Sequence, residues 1–432
     1  MNDVRFALTG SLRDLSPQAA RLLFHRGTSR DPVVRERVAA LLARVRAEGD
    51  PALRALTREL DGVALECLEV ARAEWSAALE RLEPGVRGAM ERAARNITAV
   101  HRAFLPNAVE VSPEPGIRIG RRPDPLERVG VYAPGGRAAY PSSVLMCAIP
   151  ARVAGVAEVI LCSPPGPNGR PAHAVLAAAA LAGVDRIFAL GGAPAVGAMA
   201  FGTETVPRVD RIVGPGNAYV AEAKLQVVGE VGIDTPAGPS ELLILADQTA
   251  EAAVVAREVL AQAEHDPDAA VVVVVLGDAA AAGRIAAIIG DHLTSEPRAE
   301  IITQALHRRG ALLAADDLDQ ALAFAQRYAP EHLLLALRDP EAALPRIRRA
   351  GAVFLGQTAS VAFGDYLTGA NHVLPTGGLV RSYSGLSTRD FVRWTSWQAV
   401  TREAAAALAD DTARFARAEA LPAHAAAAEQ WR

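Results

Sequence analysis

The chain is poor in several residue types, and each shortage excludes something. Three cysteines, Cys67, Cys147 and Cys162, lie far apart in 432 residues. They are too few and too scattered for a disulfide framework or a cysteine zinc finger, and the cytosol is the expected compartment. Lysine occurs once, at Lys224. There is therefore no G-x-x-x-x-G-K-[ST] phosphate loop, and Schiff-base chemistry would have a single candidate amine. Excess charge is also lacking: 45 basic against 49 acidic residues leave a formal net charge of −4. That balance argues against a nucleic-acid partner or a membrane-surface patch. The most apolar runs, 174–183 and 269–276, fall well short of the ~20 residues that span a bilayer. Charge arrives at Asp3 and Arg5, too early for a signal-peptide apolar region.

What is present is half apolar and 22% charged, the make-up of a folded chain. At about 150 residues per domain the length suggests two or three domains. Residues 1–105 read as helical and as packing surface. Asp31-Pro32 starts a helix, with a capping acid and then proline. Val33, Val34, Val38, Leu41, Leu42 and Val45 recur at helical spacing, and Gly49 followed by Asp50-Pro51 stops one helix and starts the next. From about 128 the pattern changes to short apolar runs closed by Gly or Pro: Val129–Tyr132, Val159–Cys162, Ile187–Leu190 and Arg211–Val213. Ala-rich stretches such as 142–155 and 171–183 lie between them. Strand, glycine turn and helix in repetition is the signature of a parallel sheet. A second series follows, at Leu242–Ala246, Ala270–Leu276, Ala311–Ala314, His332–Leu337 and Val353–Gly356. The expectation is an α/β chain of two doubly wound domains, with residues 386–432 again mostly helical.

Several constellations could carry chemistry. The turns at Gly135-Gly136, Gly191-Gly192 and Gly214-Pro-Gly216-Asn217 fall where strands end, and ligands of open α/β sheets bind at the carboxyl ends of strands. Three such turns favour a nucleotide or similar anion along that edge, although none is a strict G-x-G-x-x-G and each alone is also an ordinary turn. Gln262 and His265 are three apart in an apolar stretch read as helix over 251–265, so they share a face. Histidine is a common metal ligand, whereas glutamine is not a usual one for zinc. Glu331-His332 pairs a carboxyl with an imidazole suited to proton transfer. Neighbours on a strand point to opposite faces, so a turn is needed for the two to converge; otherwise they are a polar pair at a strand edge. Asp365 and His372 lie in a glycine-bracketed polar loop, 364–372. Glu419 and His424 lie near the end of the last helical stretch, where a solvated histidine is the plain reading.

Longer motifs carry a resemblance. Val129-Gly-Val-Tyr-Ala-Pro-Gly-Gly, Tyr140-Pro-Ser-Ser-Val-Leu-Met, Gly214-Pro-Gly-Asn-Ala-Tyr-Val-Ala-Glu-Ala-Lys, Pro236-Ala-Gly-Pro-Ser-Glu, Gln262-Ala-Glu-His, Tyr328-Ala-Pro-Glu-His-Leu and Asn371-His-Val-Leu-Pro-Thr-Gly-Gly occur in an order that resembles histidinol dehydrogenase over nearly the whole chain. The resemblance implies a cytoplasmic, zinc-dependent, NAD-linked homodimer that oxidises L-histidinol through L-histidinal to L-histidine. It implies Gln262, His265, Asp365 and His424 as zinc ligands, and Glu331 and His332 as the acid–base pair. Ser240, His332 and Glu419 would join the zinc ligands at the substrate, and Tyr132 and Asn217 would lie at NAD.

The implied architecture is two incomplete Rossmann-like domains, one inserted in the other. Residues 1–26 would form an N-terminal helical arm, 27–131 with 237–385 the zinc and catalytic domain, and 132–236 the inserted NAD domain. Residues 386–432 would be a helical tail exchanged across the dimer, so that active sites are shared. The chain departs from the family at Pro194, where a Gln usually meets NAD; proline offers neither a side-chain hydrogen bond nor a backbone N–H. Thr235 after Asp234 replaces the commoner Met. Two other functions stay open on the residues: a dehydrogenase of the same fold acting on another small alcohol or diol, and a non-catalytic small-molecule binding protein. Glu419 and His424 favour a substrate with an imidazole and an amine.

Overall fold

The structure, a computed structural model, describes residues 5–26, 31–135, 139–277 and 279–432. Both expected strand series form parallel sheets. One has five strands in the spatial order Arg186–Ala189, Glu158–Ser163, Arg128–Tyr132, Arg211–Val213 and Gly232–Ile233. The other has six: Leu8–Ser11, Ala311–Ala315, Ala270–Leu276, Glu241–Ala246, His332–Ala336 and Ala352–Leu355. The central strands are near-continuous apolar runs because helices cover both faces. Leu242 and Ile244 point into one core, while Leu243 and Leu245 point into another across the sheet. The helices Pro141–Ala154 and His173–Ala182 fill the connections expected of them.

Several expectations are corrected. The N-terminal arm is not wholly helical: Leu8–Ser11 is an edge strand parallel to Ala311–Ala315, ahead of the helix Pro17–Phe24. The segment 386–432 is mostly helical as expected but also contains a strand, Val392–Val400, antiparallel to Ile117–Pro125, which in turn pairs with Val109–Val111. Its sequence, VRWTSWQAV, is rich in the β-branched and aromatic residues that favour strands. Residues 31–103 pack chiefly on the five-stranded sheet and not on the six-stranded one. Their helices, Pro32–Glu48, Asp50–Asp61, Arg72–Glu80 and Pro84–Ala103, bury Val38, Leu42, Leu53, Trp75 and Ile97 in the core of the five-stranded sheet. Asp31 caps the first of them as expected, accepting from Val33 N–H at 2.9 Å. No helix among the described residues is long and apolar enough to cross a membrane.

Candidate active site

The glycine turns lie at the carboxyl end of the five-stranded sheet. Tyr132 ends its strand, is buried, and its hydroxyl accepts from Gly192 N–H at 3.1 Å. Burial pushes this phenol up to about 12. Gly214 has φ +118° and packs so closely that a Cβ would collide with the Tyr132 carbonyl. Tyr132 thus ties the Gly191-Gly192 and Gly214 turns together; Gly136 lies outside the described residues. Asn217 caps the helix Ala218–Gln226, its side chain accepting from the N–H groups of Tyr219 and Val220 at 3.0 and 3.1 Å. The Asn217 cap therefore occupies two amides of that first turn. Pro194 is buried at the third position of the helix Gly192–Phe201. First-turn amides have no acceptor within the helix, so proline costs little there.

The other cluster lies at the amino end of the six-stranded sheet, which the carboxyl-end rule does not anticipate. Glu331 occupies a bend and His332 opens the strand. The bend turns the two side chains together, with His332 Nδ1 3.4 Å from Glu331 Oε2, and both residues are 4% exposed. The main chain of Glu241 grips both. Its N–H donates to Glu331 Oε2 at 2.6 Å, and its carbonyl stands 3.0 Å from His332 Nδ1. Burial disfavours charge on the imidazole, but the carboxylates of Glu331 and Asp365 outweigh it and lift His332 to about 9. Burial pushes Glu331 up against the pull of His332. The two titrate as a pair.

Gln262 ends up near the close of the helix Ala252–Ala263, buried, with its Nε2 unpartnered among the described residues. That helix stops two residues before His265, which lies in the following turn with its N–H 3.3 Å from Gln262 O. His265 is open to solvent by surface area, yet protein surrounds it closely enough that lost hydration lowers its pKa, with Asp365 acting the other way. These two facts describe an open cleft. Asp365 sits on the short helix Val361–Tyr366, its Oδ1 3.8 Å from His332 Nε2, beyond hydrogen-bond length. That helix is anchored by Glu258 Oε2, which accepts from Val361 N–H at 3.1 Å. Gly364 admits the Phe354 ring, which a Cβ would meet at 2.7 Å. Ser240, partly buried, immediately precedes Glu241.

His372 bridges to the other half of the molecule. Its Nδ1 meets Asp365 O at 2.9 Å and its Nε2 stands 3.4 Å from Ser143 Oγ on the helix Pro141–Ala154. It was visible in the sequence only as a loop histidine. Glu241 gave no sequence signal beyond its motif, because its part is played by the backbone.

Glu419 and His424 are not brought in. Both are exposed on the C-terminal helix pair Arg402–Ala418 and Pro422–Glu429, and His424 is not among the groups acting on His265, His332 or His372. Among the described residues no three His, Cys, Asp or Glu side chains meet as a metal site by themselves. A metal here would therefore need further donors, such as the Gln262 amide and a histidine from the tail of a second copy. The His265 imidazole and the Asp365 carboxylate, which act on each other, are ordinary zinc donors, and the buried Gln262 amide three residues before His265 would add a neutral oxygen.

Known proteins give the same picture. The family profile described as histidinol dehydrogenase matches residues 24–431. Histidinol dehydrogenase of Methanothermobacter thermautotrophicus is 47% identical over 388 residues, covering 90% of this chain and 91% of that protein. That of Halobacterium salinarum is 48% identical over 420 residues, covering 97% and 98%. The crystal structure of histidinol dehydrogenase from Elizabethkingia anophelis superposes with a TM-score of 0.93 at 35% identity, over 99% of this chain and 98% of that one. With motifs, fold and near-complete coverage in agreement, the chain belongs to the histidinol dehydrogenase family.

Proposed function

We propose that this chain oxidises L-histidinol to L-histidine through L-histidinal, in histidine biosynthesis, with NAD and zinc as cofactors. The observation that carries the reading is the buried Glu331–His332 pair facing Asp365, whose carboxylate also acts on His265.

Gln262, His265 and Asp365 would hold zinc, with His424 of a second copy completing the set. Bound zinc would act as a Lewis acid on the substrate oxygen. Tyr132 and Asn217 would lie on the side that holds NAD, which would supply the hydride acceptor for each oxidation. His332 in its neutral form takes the proton leaving the alcohol, and the Glu331 and Asp365 carboxylates that raise it make that form predominant only above about 9. Glu331 activates the water that adds to the aldehyde. The hydrated aldehyde is again an alcohol, so His332 serves the second oxidation in the same place. Ser240 and the partner's Glu419 would orient the substrate, a carboxylate suiting its ammonium group. In this reading NAD belongs to the unit built on the five-stranded sheet, and the metal and acid–base residues to the six-stranded one.

A homodimer with exchanged tails is supported by apolar surface left bare. Phe415 is 71% exposed on the tail, and Val109, Val111 and Trp394 are open on the antiparallel sheet. All three cysteines are free thiols, which suits a cytoplasmic enzyme. NADH formation at about 340 nm with histidinol is the direct assay, NADH being the product of each hydride transfer. A chelator should abolish it and zinc should restore it. Full turnover in verified metal-free protein would sink the reading, and so would turnover of simple diols in preference to histidinol.

A further inference from the structure

Arg26 lies at the end of the N-terminal arm, a segment in which the sequence showed only packing surface. Its side chain is 5% exposed and that of Glu241 2%. The two form a fork, Nε to Oε1 at 2.8 Å and Nη2 to Oε2 at 3.1 Å. The guanidinium is itself fastened. It donates to Leu23 O and Tyr328 O, each at 2.8 Å, and its Cζ lies 3.4 Å over the Tyr328 ring. Glu241 Oε1 also accepts from Gly377 N–H at 2.9 Å. The carboxylate is therefore fixed from the arm and from the loop after Asn371, while both main-chain polar groups of the same residue meet Glu331 and His332.

Two charges buried this deeply are costly, and apolar packing often serves stability as well or better. What a bidentate fork adds is orientation. The Glu241 carbonyl accepts from Nδ1–H of His332 and thereby selects the tautomer. The other ring nitrogen, Nε2, then faces Asp365 and the cleft, free to exchange a proton.

We propose that Arg26 and Glu241 are positioning residues: a buried charge clamp from the N-terminal arm that sets the Glu241 peptide against which Glu331 and His332 are aimed. The inference rests on the reading of Glu331 and His332 as the acid–base pair.

The test uses zinc-loaded, full-length protein with metal content measured. Arg26→Lys keeps the charge and loses the fork. The double variant Arg26→Met/Glu241→Gln removes both charges together and avoids leaving one buried alone. Misplaced supporting groups typically cost about 10- to 100-fold in activity. Both proteins should lose about that much in kcat, with zinc content and the KM for histidinol within about twofold of wild type by the same reasoning. The double variant should also regain most of the Tm lost by Arg26→Met. Wild-type kcat in the double variant would overturn the clamp, as would a loss confined to Tm, KM or zinc content. Glu331→Gln and His332→Asn are run beside them. If those two turn over normally, the acid–base reading fails and the clamp with it. If they are crippled while the Arg26 variants keep their kcat, the clamp alone fails.

Discussion

Consider a dimer assembled from two different damaged chains, one carrying His332→Asn and the other His424→Ala. Within one chain, His332 is buried at the start of its strand, whereas His424 is exposed on a tail whose two helices pack mainly on each other. Nothing in the same chain brings His424 to the His265–Asp365 cleft. If the tail serves the partner, each homodimer of a single variant has two damaged sites. In a mixed dimer one site collects both lesions and the other none, because a two-fold axis repeats every contact. Mixed dimers isolated through two affinity tags should therefore show about half the wild-type kcat per dimer, and an unfractionated co-expression about one quarter, by the same symmetry. Histidinol-dependent NADH formation provides the measurement, with KM at the wild-type value since the surviving site is intact. A mixed dimer no more active than either parent would refute the exchange, for then every site carries one lesion.

Three further outcomes are expected. Glu331→Gln should slow histidinal oxidation more than histidinol oxidation, while His332→Asn slows both, by roughly 10²–10⁴ for a lost general base; separate stopped-flow assays of the two substrates check this, and equal losses in Glu331→Gln would contradict the water-activating assignment. Gly364→Ala should drive a methyl into the Phe354 ring, destabilising by about 1–3 kcal/mol and loosening the metal through its neighbour Asp365, which calorimetry and zinc titration would detect. His101 is 1% exposed, its ring nitrogens are unpartnered among the described residues, and burial lowers it from 6.5 to about 4. The unfolded chain therefore binds the extra proton first, and stability falls as pH drops from about 6.5 towards 4 and levels off below. At about 1.36 kcal/mol per tenfold change this amounts to at most roughly 3 kcal/mol. Unfolding titrations of wild type and His101→Met across that range should differ by this slope, and parallel curves would show that the ring is solvated.

Local features were legible because local chemistry makes them. Val129–Tyr132, Ala270–Leu276 and Ala311–Ala314 were placed to within a residue or so, since a strand covered on both faces must be an apolar run and the glycines that close it must turn the chain. The helix start at Asp31-Pro32 follows from the capping hydrogen bond alone. The motifs carried the family, and with it the identities of the candidate ligands and of the acid–base pair. Pairing between distant segments was not legible. Leu8–Ser11 becomes a strand because Ala311–Ala315 offers an open edge, and Val392–Val400 because Ile117–Pro125 does. Helices 31–103 could have covered either sheet, and only the fit of their apolar faces decided for the five-stranded one. Glu331 and His332 converge through a bend whose geometry depends on the Glu241 peptide, and that peptide is held by Arg26, 215 residues away in sequence. Composition and spacing determine backbone preference and burial locally, whereas which buried charge meets which carboxylate is decided only when the chain closes on itself.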